Sequence, residues 1–337
     1  MTGHEGGSLV LPPAWIGDAV LALPSIRSLA ALGPVAILAH PRVAPLFDLA
    51  GGFARVERFA GPAASIAGLR QARSLGLRGN ARAVVLPRSL SSAIRARASG
   101  VRERIGIDDE GRRLLLTKPV RIPWPARTRH IVEEFALVAE AAGAERPQAV
   151  PRVALSEACA ERGRALLAAA GVDRARPLVT LAPGAAFGPA KRWAPHRYAL
   201  VAQRAAAAGC VVLLVGGDAD RAVTAAVARA AADPRGVVDL AGKTDLAALA
   251  AILAASRVSL VNDSGPMHLA AAVGTPVVAL FGSTNPAWTA PIGDGHAVLR
   301  YPVPCSPCYR RTCPIGAVCF AGISVDAAWA EVARRIA

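Results

Sequence analysis

The sequence predicts an α/β protein with two parallel sheets, one in each half of the chain. Three observations carry this reading. From Leu178 onward, short runs rich in valine and leucine recur at regular spacing, with alanine-rich helical stretches between them. Glycine, aspartate, serine and threonine collect where those runs end, as they do on the carboxyl edge of an open parallel sheet. A length of 337 residues suits two cores of roughly 150 residues better than a single one.

Taken in order, residues 9–11 form a strand that leads through Pro12-Pro13-Ala14-Trp15-Ile16-Gly17-Asp18 into an amphipathic helix over residues 19–31. Residues 35–38 and 83–86 are further strands of the first sheet. The stretch Pro147-Gln148-Ala149-Val150-Pro151 reads as the region of the linker, and the two domains are expected at 1–165 and 170–337. In the second, residues 179–182, 211–215, 237–240, 258–261 and 277–281 are strands, and residues 195–208, 220–232, 246–255 and 267–273 are helices. A last helix follows Ser324 as N-cap, with Ala328, Val332 and Ile336 on one face. The strand-end groups are Gly184, Gly216-Gly217-Asp218, Gly242-Lys243-Thr244, Asp263-Ser264-Gly265 and Gly282-Ser283-Thr284.

Val261-Asn262-Asp263-Ser264-Gly265-Pro266-Met267-His268 is the most informative of these exits. Pro266 suits a first helical turn, where no amide hydrogen is required. Ser264 and the unpaired amides of that turn would face an anion, while Asp263 and His268 can fix hydroxyls or a phosphate. The residues thus predict an anionic, nucleotide-bearing substrate. No Gly-x-Gly-x-x-Gly follows a first strand, which disfavours a dehydrogenase.

Three segments give the chain a family likeness: Trp15-Ile16-Gly17-Asp18, Pro183-Gly184-Ala185-Ala186-Phe187-Gly188-Pro189-Ala190-Lys191-Arg192-Trp193, and Asn262-Asp263-Ser264-Gly265 with His268. On these it resembles the bacterial lipopolysaccharide heptosyltransferases (glycosyltransferase family 9), the heptosyltransferase II branch above all. The resemblance implies the GT-B fold, two facing Rossmann-like domains with an acceptor-binding first domain and an ADP-sugar-binding second one. It implies inverting transfer of L-glycero-D-manno-heptose from ADP-heptose to the inner core, with no cofactor needed for the chemistry. Asp18 then matches the general base, Lys191 the lysine on the diphosphate, Asp263 the acid that holds the donor sugar, and His268 the histidine near the phosphates. Gly17, Gly184, Ser264 and Gly265 fall where backbone approaches the ligand, Thr244 where base or ribose would rest, and Asp218 or Asp220 where an acid meets the ribose. In this fold the last helix can pack back on the first domain.

Beside that resemblance, the residues keep plainer readings. Asp18 could serve only as an N-cap, His268 as a helix histidine, and Trp193 as sheet packing rather than an adenine platform. Lys191 is one of three lysines against 36 arginines, a mild hint that a compact point charge is wanted there. Competing functions are transfer from another nucleotide sugar, hydrolysis or epimerisation at the same anomeric centre, and non-catalytic binding of a nucleotide sugar.

A net charge of +15 calls for an anionic partner, but 4% aromatic residues leave little to stack on bases, so nucleic acid is disfavoured. Arg88, Arg95, Arg97, Arg102 and Arg104, then Arg121, Arg127 and Arg129, concentrate charge in the first domain. Arg88 or Arg95 is the expected contact to a lipid A-core oligosaccharide acceptor, the rest a charged surface able to touch anionic inner-leaflet lipid. No run of about 18 apolar residues and no basic-then-apolar leader is present, so the expectation is a cytoplasmic protein, peripheral at most, and a monomer. Cys305, Cys308, Cys313 and Cys319 lie in one Pro- and Gly-punctuated loop and suggest a structural zinc site, with free thiols as the alternative.

Overall fold

The computed structural model describes residues 6–62, 65–76, 79–109, 111–147, 150–233 and 236–337; Gln148 and Ala149 of the expected linker, and residues 1–5, lie outside the described residues. Packing divides the chain into two compact units, Met1–Pro151 and Arg152–Ala337.

The first unit runs β1 (Gly7–Leu11), α1 (Ile16–Ser28), β2 (Val35–Ala39), α2 (Ala44–Ala50), β3 (Arg55–Arg58), α3 (Ile66–Gly76), β4 (Asn80–Val85), α4 (Leu90–Ala98), β5 (Glu103–Ile107), β6 (Lys118–Val120) and α5 (Ile131–Ala141). Its six strands lie in the order β3-β2-β1-β4-β5-β6, every pairing parallel. All five residues of β1 are buried, which is why an unbroken apolar run serves there. The strands at the two edges read differently. β3 is Arg-Val-Glu-Arg and β6 is Lys-Pro-Val, charged or proline-bearing sequences that an edge tolerates and hydropathy does not flag.

The second unit runs α6 (Glu157–Ala169), β7 (Leu178–Ala182), α7 (Pro195–Ala207), β8 (Val211–Leu214), α8 (Arg221–Ala231), β9 (Val237–Asp239), α9 (Leu246–Ala255), β10 (Val258–Asn262), α10 (Gly265–Ala272), β11 (Val277–Phe281), α11 (Pro286–Thr289), β12 (Ala297–Arg300), α12 (Val318–Ala321) and α13 (Val325–Ile336). Its strand order is β12-β11-β10-β7-β8-β9, again all parallel. Both sheets therefore reverse direction beside their own first strand, between β1 and β4 and between β7 and β10. At such a reversal the loops leaving the two strands diverge and open a crevice for ligand.

Helix α6 packs on α9 so closely that a Cβ on Gly163 would meet the Ala251 methyl at 2.5 Å, and this brings residues 152–165 into the second unit. Helix α13 seals the core of its own unit, with Ala328 and Val332 fully buried beside Phe320, Ile323 and Val278.

Candidate active site

Asn262, the last residue of β10, organises the crevice of the second unit. It is fully buried, and its amide spans three segments. Oδ1 accepts from the Trp193 amide at 3.1 Å and the Tyr198 hydroxyl at 3.0 Å; Nδ2 donates to the carbonyls of Pro183 at 2.8 Å and Gly184 at 3.2 Å. One amide thereby ties the exit of β7, the start of α7 and the exit of β10 together. Trp193 is completely buried and stacks edge-on with Tyr198, so it packs under the site and is no platform for a base.

Above this frame stands the charged cluster. The Lys191 ammonium donates to Asp263 Oδ2 at 2.6 Å, and the Thr284 hydroxyl donates to the same oxygen at 2.6 Å; Thr289 reaches Oδ1 at 3.4 Å. Asp263 is 5% exposed, so the short charge-assisted bonds compensate a carboxylate largely removed from water. Phe187 holds the lysine from the side: Lys191 Nζ and the Arg311 guanidinium both lie 5.3 Å from its ring. Ser264 is the N-cap of α10 and its hydroxyl donates to the Asn262 carbonyl at 3.0 Å, so it does not cap the first turn; there Pro266 carries no amide hydrogen and the Met267 amide donates to the Ser264 carbonyl at 3.1 Å, which leaves the Gly265 amide as the donor at the helix start. His268, 4% exposed, sits one turn into the same helix. Positive charge, helix N-terminus and hydroxyl donors thus converge on one spot, which suits a diphosphate.

The neighbouring strand ends separate two acids that the sequence could not. A side chain on Gly184 would come within 2.2 Å of the Asp220 carboxylate, which a 3.1 Å hydrogen bond from the Gly217 amide holds in place. Arg192 lies 3.8 Å from the same carboxylate. Asp218 instead pairs with Arg221 at 2.8 Å on the surface, its side chain 84% exposed. Thr244 is half-buried on the loop after β9.

In the first unit Asp18 is not an N-cap. Trp15 takes that position, and α1 starts at Ile16, which places Asp18 in the first turn, half-buried and favourably set against the helix dipole, with Gly17 buried beside it. The arginines sort into distinct roles. Arg112, fully buried, donates to the carbonyls of Ile107 and Pro87, and Arg104 donates to those of Leu115 and Val101, so both brace the backbone. Arg88 is matched by two carboxylates, Asp109 and, at 2.8 Å, Glu134. Arg95 is buried over the Phe59 ring at 3.9 Å, donates to the Gly61 carbonyl, and forms no ion pair among the described residues.

The four cysteines of the loop are not drawn together as a zinc site in this structure. Among the described residues no three His, Cys, Asp or Glu side chains gather closely enough to hold a metal ion. Cys319 turns into the core beside Phe320, and burial, with Cys313 and Cys305 nearby, pushes its thiol up. Cys313 accepts a hydrogen bond from the Ala317 amide, and Cys305 is exposed. The loop instead packs on the crevice: Cys308 and Tyr309 amides donate to the Ser283 carbonyl, and the Ala190 amide donates to that of Arg311 at 3.0 Å.

Sequence reasoning missed Asn262, Thr284, Thr289 and Arg311 as parts of this site. Thr284 was visible only as a strand-end hydroxyl, and Arg311 carried no signal, because it arrives from a loop remote in sequence.

Two Rossmann-type sheets, one with a lysine, a buried acid and a helix N-terminus at its reversal point, define a nucleotide-binding protein of the two-domain GT-B class. Residues 69–319 match glycosyltransferase family 9 (heptosyltransferase), and the chain belongs to that family. It is 31% identical to lipopolysaccharide heptosyltransferase 2 of Salmonella typhimurium over 310 residues, 87% of each chain, and 30% identical to that of Escherichia coli K12 over 307 residues, again 87% of each. The solved structure of E. coli ADP-heptose lipopolysaccharide heptosyltransferase II superposes with a TM-score of 0.83 at 26% identity, covering 98% of both chains. The protein is thus a glycosyltransferase.

Proposed function

We propose that this protein transfers L-glycero-D-manno-heptose from ADP-heptose to the inner core of lipopolysaccharide, with inversion at the anomeric carbon. The observation that carries the reading is Lys191 at 2.6 Å from Asp263 beside the N-terminus of α10, in a chain of this family. The acceptor hydroxyl gives its proton to Asp18 as its oxygen bonds to the anomeric carbon. On the opposite face the bond from that carbon to the β-phosphate oxygen breaks and ADP leaves. Lys191 and the Gly265 amide at the start of α10 take up the charge gained by the departing diphosphate, and His268 lies on the same helix to assist. Asp263, released from Lys191 by the diphosphate, is free to bind heptose hydroxyls. Asp220, fixed against Gly184, supports a ribose contact better than Asp218 does. Thr244 stands for the base side.

The first unit takes the acceptor, and its net basic surface favours a salt-sensitive contact with anionic lipid from the cytoplasmic side. No described helix is long and apolar enough to cross a membrane. The test is incubation with ADP-L-glycero-β-D-manno-heptose and a truncated lipopolysaccharide core, with and without its first heptose. Acceptor-dependent ADP release with an α-linked heptose in the product supports the reading; a β-linked product contradicts inversion, and turnover only with another nucleotide sugar contradicts the donor.

A further inference from the structure

Asp263 is held by three side-chain donors that differ in their freedom to move. The Lys191 ammonium and the Thr284 hydroxyl both reach Oδ2 at 2.6 Å, and Thr289 stands off at 3.4 Å from Oδ1. The Lys191 side chain is 16% exposed against 5% for that of Asp263, so the ammonium lies on the open side of the pair. It ends a flexible four-carbon stem, and the Phe187 ring, 5.3 Å away, offers it a second resting place.

Thr284 has no such latitude. It is buried and β-branched, which leaves its hydroxyl little choice of direction. The cysteine loop ties down the strand exit that carries it: the Ser306 hydroxyl donates to the Gly282 carbonyl at 2.6 Å, and the Cys308 and Tyr309 amides donate to the Ser283 carbonyl at 3.0 and 2.8 Å. Asp263 is fixed in turn, its amide donating to the Leu280 carbonyl of β11 at 3.2 Å.

A diphosphate that draws Lys191 away would strip a buried carboxylate of its cation. A buried charge left without a donor is far less stable than one that keeps a charge-assisted hydrogen bond. Among the described residues Thr284 is the one remaining short donor to Asp263.

We propose that Thr284 is the positioning residue for a hand-over of Lys191: it holds Asp263 Oδ2 once the lysine turns to the donor diphosphate. One lysine then serves the carboxylate in the free protein and the phosphates in the complex, while Oδ1 stays open to the sugar. The hand-over rests on the reading above in which the diphosphate takes Lys191.

ADP is titrated into the full chain by calorimetry to test it. Thr284→Val keeps the shape of the side chain and removes the hydroxyl. The variant retains Lys191 as partner to Asp263 in the free protein, so it should fold, yet bind ADP roughly 10- to 100-fold more weakly, as a buried carboxylate stranded on binding requires. Thr284→Ser, which keeps the donor, should recover most of the affinity. In an Asp263→Asn background no carboxylate is stranded, and adding Thr284→Val should change ADP affinity little. Equal losses in both backgrounds would make Thr284 a merely structural residue and overturn the proposal, as would unchanged ADP affinity in Thr284→Val. Lys191→Met separates the two readings. If it leaves ADP affinity unaltered, the diphosphate role of Lys191 falls and the hand-over with it; if it weakens ADP while Thr284→Val does not, the hand-over alone fails. A crystal structure of wild type with ADP is the check that no substitution can disturb: Lys191 should have left Asp263 with the Thr284 bond kept, and a lysine still paired with Asp263 would overturn the hand-over.

Discussion

At the residue scale, Asn262 sets the site as much as the charged groups it supports. Asn262→Ala would strand the Trp193 amide, the Tyr198 hydroxyl and two carbonyls in a dry interior, at a cost of roughly 2–4 kcal/mol read by urea unfolding. Asn262→Asp keeps an acceptor for Trp193 and Tyr198 but cannot donate to Pro183 and Gly184, so it should also raise the donor KM by loosening the Lys191 loop. Unchanged stability in the alanine variant would show that the four bonds do not set the site. Asp263 and Ser264 were legible in the sequence as polar groups at a strand exit, where they have little other use in a parallel sheet, whereas Lys191 was singled out by the family resemblance, and its 2.6 Å contact with Asp263 is a product of the fold. The split between Asp218 and Asp220 was not legible. Two acids two residues apart differ here only in which one meets Gly184, and that depends on packing between β7 and β8.

At the element scale, the strands that sequence reading found are mostly central and buried, β9 being an edge strand that it also found, and the ones it passed over are mostly edges. β3, β6 and β12 carry charge or proline because one side of each meets solvent, so their patterns lack the apolar run of β1 or β10. Helix α1 was placed three residues late, since Trp15 and Gly17 are poor signals for a helix start. The amphipathic reading of the last helix, α13, matches its packing. Val332 is fully buried against the core of the second unit, and Val332→Ala should cost about 2 kcal/mol from lost burial and the cavity left behind. The check is chemical unfolding; a cost under about 0.5 kcal/mol, the range of surface substitutions, would mean that α13 adds nothing to that core.

At the scale of the whole molecule, acid should weaken the fold through His296. Burial, the largest influence, holds this imidazole below its ordinary range, and its Nδ1 accepts from the Val277 amide at 3.1 Å at the start of β11. A folded-state value below the unfolded one means that the unfolded chain binds the proton first. Stability is therefore fully present above about pH 6.5 and falls as pH drops from there through the depressed value. His296→Gln should flatten that part of the profile; an unaltered slope would assign the acid sensitivity elsewhere. The division into two sheet-bearing halves was legible from length and spacing, whereas α6 joined the second unit through a Gly163–Ala251 contact that no local pattern announces. The family rests on sequence and fold together, and the catalytic assignment rests on Asp18. The direct measurement is acceptor-dependent ADP release by wild type and Asp18→Asn at saturating ADP-heptose, with ADP affinity measured alongside. A general base at Asp18 implies a fall in kcat of roughly 10²- to 10⁴-fold with ADP affinity unchanged. Turnover within a few-fold of wild type would contradict Asp18 as the base.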